Sequence, residues 1–357
     1  MRLLILLLMK ALPLHAGYAY YISHTPAASQ VSSGPHTDFP VLIDVTDNTL
    51  KTTGNGGQVT DAQGDDIVPH SDATCTTAIT AFELIAYDGT TGRIRMWVKI
   101  SSLSTSTTVY LCYGNSAITT AQGTASSTWS AYSAVYHFGD GTTVSMADSA
   151  GSNTFTNSGG TATTGQIYGG ISYAAASTQY SYVNSAVVSS TPLTITVWAK
   201  SSVTSGVQPI ATIQSAGSNF NMHRLILYQS KVQVQTQITG GTSGLAATTA
   251  NYSTSNWFHA AGVWSSATSR KVYLNGANSA TDSTNLAPTG LNKTQTRTES
   301  VDEYMDGSID ELRFASAARS DGWIATEYNS GNPSTFWTIG SPTAISVTTR
   351  SRRIFIQ

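Results

Sequence analysis

In the stretch Met305-Asp306-Gly307-Ser308-Ile309-Asp310-Glu311-Leu312-Arg313-Phe314, the carboxylate of Asp310 most needs a chemical explanation. Gly307 permits a tight turn, and beyond it a strand would point successive side chains to opposite faces. Ile309, Glu311 and Arg313 are then expected on one face, with Asp310, Leu312 and Phe314 on the other. Asp310 would share the apolar side, where a carboxylate requires a cation or several backbone N–H donors. The strand itself is expected to close a β-sandwich.

Nucleophile and cofactor motifs are missing. No Gly-x-Ser-x-Gly stands between a strand and a helix pattern, and there is no phosphate loop or dinucleotide fingerprint. The seven histidines are scattered, and His137, His223 and His259 fall in strand-like runs where a histidine ordinarily packs. Cys75 and Cys112 are the only cysteines. An exported chain could join them, with inert thiols as the alternative. Two cysteines without a neighbouring histidine pair do not make a structural zinc site.

The elements that must position these residues read as strands. Charged residues are 11 % of the 357, against roughly a quarter in average domains, and Ser, Thr, Gly, Ala and Tyr replace them. Such a composition suits half-solvated pleated surfaces, and 40 % hydrophobic content excludes disorder. A net charge of −2 with no basic stripe gives no case for nucleic acid. Arg350, Arg352 and Arg353 read as a solvated end.

At the other end, Met1-Arg2-Leu3-Leu4-Ile5-Leu6-Leu7-Leu8-Met9 followed by Ala16-Gly17-Tyr18-Ala19 suggests a secretory leader over residues 1–19, or alternatively a retained N-terminal strand. The run is too short to span a bilayer.

Residues 20–118 read as one all-β sandwich domain. Within it Ile94, Met96, Val98 and Ile100 alternate with Arg93, Arg95, Trp97 and Lys99. Residues 119–130 form a Ser/Thr/Ala-rich connector, with Trp129 and Tyr132 placed to pin a domain interface. A second domain over 131–340 contains strand patterns at Leu193–Lys200, Arg224–Tyr228, Val232–Ile238 (glutamines outward) and Trp257–Trp264, and a hairpin turn at Asn275-Gly276. A short helix capped by Ser320 is expected near 320–328, and 341–357 would be a tail.

The second domain resembles the laminin-G-like, concanavalin-A-like jelly-roll family. The matching stretches are Tyr136-His137-Phe138, Asp148-Ser149, Leu193 to Trp198, Trp257-Phe258-His259, Val272 to Gly276 and Gly307 to Arg313. The first domain resembles a bacterial domain of unknown function (number 2341 of its series) at Phe39 to Ile43, Asp65 to Val68 and Val109 to Asn115. Together these imply an all-β chain, an N-terminal β-sandwich followed by a concanavalin-A-like jelly roll. Chemistry is not implied, because the fold carries lectins, adhesive modules and glycosidases alike.

Jelly rolls of this kind often hold a calcium ion near their first and last strands, which would recruit Asp310 with Asp140 or Asp148 and backbone carbonyls. The alternative is that Asp310 pairs locally, for instance with Arg313, and that Asp140 and Asp148 serve turns. The glucanases of the fold carry Glu, Asp and Glu at alternating positions of one strand. No such pattern occurs here, and Asp302-Glu303 with Asp306 has the wrong spacing.

Sugar binding would use Tyr228, Gln229, Tyr252, Asn256 and Tyr304 on loops, while Trp198, Trp257 and Trp264 read as core. The expected function is non-catalytic recognition of a surface glycan by a secreted or virion-borne protein. The alternatives are a structural assembly subunit of a phage tail, capsid or surface filament, and a glycoside hydrolase.

Overall fold

The computed structural model describes residues 17–217, 220–299 and 303–346. The apolar run Met1–Met9, the terminal arginines and Asp302 lie outside them.

The first sandwich packs two antiparallel sheets. One contains His36–Thr46, Arg93–Leu103 and Phe82–Asp88, and the other Tyr20–Pro26, Val109–Tyr113 and Val68–His70. Alternation on Arg93–Leu103 buries Ile94, Met96, Val98 and Ile100 among Phe39, Val41 and Leu111, as the pattern predicts. Cys75 and Cys112 form a disulfide with Cα atoms 6.1 Å apart. Trp97, on the same face as Arg93, Arg95 and Lys99, is fully buried against Trp129 with ring centroids 5.4 Å apart.

The second sandwich stacks a seven-stranded sheet on an eight-stranded one. Their shared core includes Ile195, Val197, Leu225, Val234, Leu312 and Phe314. The hairpin at Asn275-Gly276 forms, both residues having positive φ as a two-residue turn requires. The central strands of the eight-stranded sheet are buried on both faces: Leu193–Lys200, Phe258–Ser266 and Gly307–Ala315 are almost continuously buried. Its outer residues Ala261, Val263 and Tyr273 enter the apolar core of the first sandwich.

The chain then returns to the first sandwich. Helix Asp321–Ser330 is capped by Ser320, whose hydroxyl accepts from the Trp323 amide. It places Trp323 and Ile324 in the first core. Strands Trp337–Ile339 and Thr343–Ala344 pair with Tyr20–Pro26. The expected boundary at 340 and the expected tail therefore give way: residues 337–344 complete the first sandwich's sheet. Trp337 fixes the return by donating its indole N–H to the Leu42 carbonyl at 2.7 Å.

The facing of Gly307–Ala315 also departs from simple alternation. Thr196 stands opposite Arg313 but Trp198 opposite Asp310, so two steps on one strand meet three on the other. The extra residue is Glu311, with φ +54°, a β-bulge that reverses the facing on one side of it. Ile309 joins Leu312 and Phe314 in the jelly-roll core, and Asp310 turns away from them toward the first sandwich.

Candidate ligand-binding face

With the eight-stranded sheet covered, the outer face of the seven-stranded sheet is the jelly roll's open face. Register lines up Tyr182, Gln295, Thr212, Arg224, Gln235 and Leu245 as one row across neighbouring strands. Gln233 and Gln237 flank Gln235 on Lys231–Gln237, while Val232 and Val234 fill the core, so the glutamines do point outward. Leu245, in the edge strand Ser243–Ala247, is 43 % exposed.

Across this row lies a small hairpin of Arg297–Thr298 and Glu303–Tyr304. Arg224 anchors it by donating to Thr298 Oγ1 at 3.0 Å and by pairing with Glu303. The Arg297 guanidinium sits 4.3 Å from the Tyr180 ring centre and 5.6 Å from that of Tyr304. Lys293 lies 5.3 Å from the Tyr182 ring and 3.0 Å from Glu299. These cation–π and ionic contacts hold three half-exposed tyrosines in fixed orientations before any ligand arrives. Among the described residues, Thr212 Oγ1, Gln233 Oε1 and both amide atoms of Gln295 are buried here without a protein partner, and such groups ordinarily recruit water.

The five sugar-binding candidates part company. Tyr304 belongs to this face, and Tyr228 and Gln229 lie at its rim, Tyr228 ending the strand Met222–Tyr228 and Gln229 in the turn that leads to Lys231–Gln237. Asn256 is exposed on a separate loop and donates to Ser253. Tyr252 is a correction: it is only 4 % exposed, stacks on Phe258 and donates its hydroxyl to the Val203 carbonyl. Apolar packing with one satisfied hydroxyl makes it a core residue. Trp198 and Trp264 are buried as expected, whereas Trp257 is half-buried under the Lys200 ammonium. Tyr180, Tyr182 and Arg297 were missed; alternation along Tyr180–Val183 was the available signal.

The three metal candidates are not brought together. Asp148 accepts the amides of Val135, Ala150 and Asn153, tying the strand Ala134–Tyr136 to the loop after it. Asp140 is exposed and accepts the amides of Thr142 and Thr143. Asp310 is buried and accepts the Ile167 amide at 2.8 Å, and its other oxygen has no hydrogen-bond partner among the described residues. Arg313 pairs with Glu311 and Glu327 and not with Asp310. Among the described residues, His70, Cys75 and Cys112 are the cluster with metal-ligand spacing, and the disulfide occupies both sulfurs.

What Asp310 adjoins is a clasp of charges between the sandwiches. His137 lies 2.7 Å from Glu311 and 3.2 Å from Glu83 of the first sandwich. Burial works against its charge, but the two carboxylates outweigh burial and raise its pKa to about 10. His137 and Arg313 overcome the burial of Glu311 and hold that carboxyl below its usual range. Burial, reinforced by the Glu311 charge, pushes the Asp310 carboxyl well above its own. The Arg313 guanidinium lies between the indoles of Trp97 and Trp129, at 4.2 and 4.7 Å. Trp129, near the end of the connector, and Tyr132, just after it, pack together at the interface.

Residues 175–325 match the family described as the concanavalin A-like lectin/glucanases superfamily, laminin G type. This all-β protein thus carries a concanavalin-A-like jelly roll toward its C-terminus. No curated protein matches the sequence. Among solved structures, domain 4 of AbnA, an extracellular arabinanase of Geobacillus stearothermophilus bound to arabinotriose, is 18 % identical, with 54 % of this chain and 96 % of that one covered and a TM-score of 0.46. The binding domain of Paraclostridial Mosquitocidal Protein 1 is 11 % identical, covering 56 % and 52 %, with a TM-score of 0.44. The receptor binding domain of botulinum neurotoxin C/D mosaic serotype is 16 % identical, covering 56 % and 51 %, with a TM-score of 0.43. The chain spans about half the length of these two toxin domains.

Proposed function

We propose that the protein is a non-catalytic, extracellular binding protein whose open jelly-roll face recognises a glycan. The observation that carries this reading is the asymmetry of the two jelly-roll sheets. One is sealed by the first sandwich, while the other presents the half-exposed Tyr180, Tyr182 and Tyr304 beside Gln235 and Gln237. Rigid aromatic rings supply stacking area, and amides supply paired donors and acceptors for sugar hydroxyls.

Electrostatics favour binding over hydrolysis. A retaining or inverting glycosidase needs one carboxyl kept protonated as general acid. Burial resists the charge on Glu83, but His137, Trp129 and Ser149 overcome it and hold the carboxyl below its usual value; loop amides and a hydroxyl do the same for Asp140. Asp310, which is pushed the other way, is only 1 % exposed. His137 has both nitrogens engaged by carboxylates and takes no proton from Ser149, whose hydroxyl donates to Glu83.

A glycan array probed with the intact protein, followed by titration of any hit against Tyr182→Ala and Tyr304→Ala, tests the reading. Binding that weakens in both variants supports it. Ordered oligomers that bind no glycan would instead favour the assembly role.

A further inference from the structure

Beside the His137 clasp a cleft of about 390 Å³ opens between the two sandwiches, at the small end of the range for small-ligand sites. The first sandwich contributes Glu83 and the jelly roll His137, Asp140, Thr143, Ser145 and Tyr168. The only cation among them is His137, and its two nitrogens already face Glu83 and Glu311. Glu83 receives Ser149 on one oxygen and His137 and Trp129 on the other, so a lone pair remains on Oε1. Among the described residues, the donors to Asp140 fall on Oδ1 and leave Oδ2 open. Arg95 does not neutralise the cleft: it lies over the Tyr168 ring at 4.7 Å and is paired with Asp44 at 2.9 Å. The cleft thus combines spare carboxylate acceptors with the hydroxyls of Thr143, Ser145 and Tyr168, and carries an excess of negative charge.

We propose that this interdomain cleft binds a small polyhydroxylated ammonium compound, of the size and chemistry of an amino sugar. The ammonium lies toward Asp140 and Glu83, and the ligand's hydroxyls meet those of Thr143, Ser145 and Tyr168. An ammonium offers three donors and no acceptor, which fits a site rich in unfilled carboxylate lone pairs. On this account the first sandwich supplies part of a binding site as well as a spacer. The site is separate from the open face, and its test does not read the tyrosines there.

D-glucosamine and D-glucose are the probes, followed by saturation-transfer NMR on the full chain. Glucosamine is expected to bind, glucose to bind far less, and added salt to weaken the glucosamine signal. Asp140→Asn and Tyr168→Phe alter a solvent-exposed and a half-exposed side chain, and each is expected to weaken glucosamine by about fivefold. Unchanged thermal unfolding would show that both variants fold. The proposal is overturned if glucosamine gives no signal, if glucose binds equally well, or if both variants bind glucosamine as the wild type does.

Discussion

Nδ1 of His137 lies 2.7 Å from Oε1 of Glu311, the one non-glycine residue of its strand with a positive φ. The bulge that places Glu311 there also turns Asp310 out of the jelly-roll core, so one irregularity builds the interface charge cluster. A left-handed backbone at a non-glycine residue costs about 1–3 kcal/mol, and the ion pairs to His137 and Arg313 offset it.

Removing the imidazole leaves Glu311 and Glu83 close together without their shared cation. His137→Gln is expected to lower stability by about 3–5 kcal/mol, the cost of breaking a buried pair. The pH dependence has a definite sign. Because the folded-state pKa is raised from 6.5 to about 10, the contribution is complete below pH 6.5 and disappears as pH climbs through 10. Denaturant titrations across that window should show the decline in the wild type and its absence in the variant.

Asp310 gives the opposite kind of test. Its carboxyl is pushed well above 3.8 by burial and by Glu311, so folding favours its neutral form and loses stability as pH rises from 3.8 toward the folded value. Asp310→Asn keeps the neutral shape. It should match the wild type near pH 4 and exceed it at pH 7, measured by urea unfolding at both pH values. A variant weaker at both would mean that the carboxylate is ionised and partnered.

The Cys75–Cys112 bridge closes a loop spanning 37 positions. Chain entropy assigns such a loop about 4 kcal/mol. The double variant Cys75→Ser, Cys112→Ser should lose stability of that order, read from its denaturation midpoint and slope.

The return of Trp337–Ile339 to Tyr20–Pro26 predicts that residues 20–118 do not fold alone. That fragment would lack a strand of its sheet and expose the apolar surface that Trp323, Ile324 and Trp337 cover. Its near-ultraviolet circular dichroism and thermal scan should show no cooperative transition, whereas the full chain should show one.

Legibility followed the range of the interaction. Patterns of period two gave the strands at Arg93–Leu103 and Lys231–Gln237 and the burial of their apolar residues, because alternation is a local property. The capping of Ser320 and the turn at Asn275-Gly276 were equally local. The bulge at Glu311 was not legible, since an extra residue is defined only by the partner strand, and its Trp198 and Thr196 lie more than a hundred positions away. The same holds for His137 with Glu83, and for the strand Trp337–Ile339, which looks like a domain's end until its partner at the other terminus is known. Tyr252 read as a loop aromatic because the carbonyl that holds its hydroxyl, that of Val203, lies 49 positions away.

The central claim is that the open face of the seven-stranded sheet, with its fixed tyrosines, is the recognition surface. The most direct measurement is the dissociation constant of the best array glycan for the wild type, Tyr182→Ala and Tyr304→Ala, each confirmed folded by thermal unfolding. The account predicts that each substitution weakens binding by about tenfold. A glycan that binds both variants as tightly as the wild type, or an array without a single hit, would contradict it.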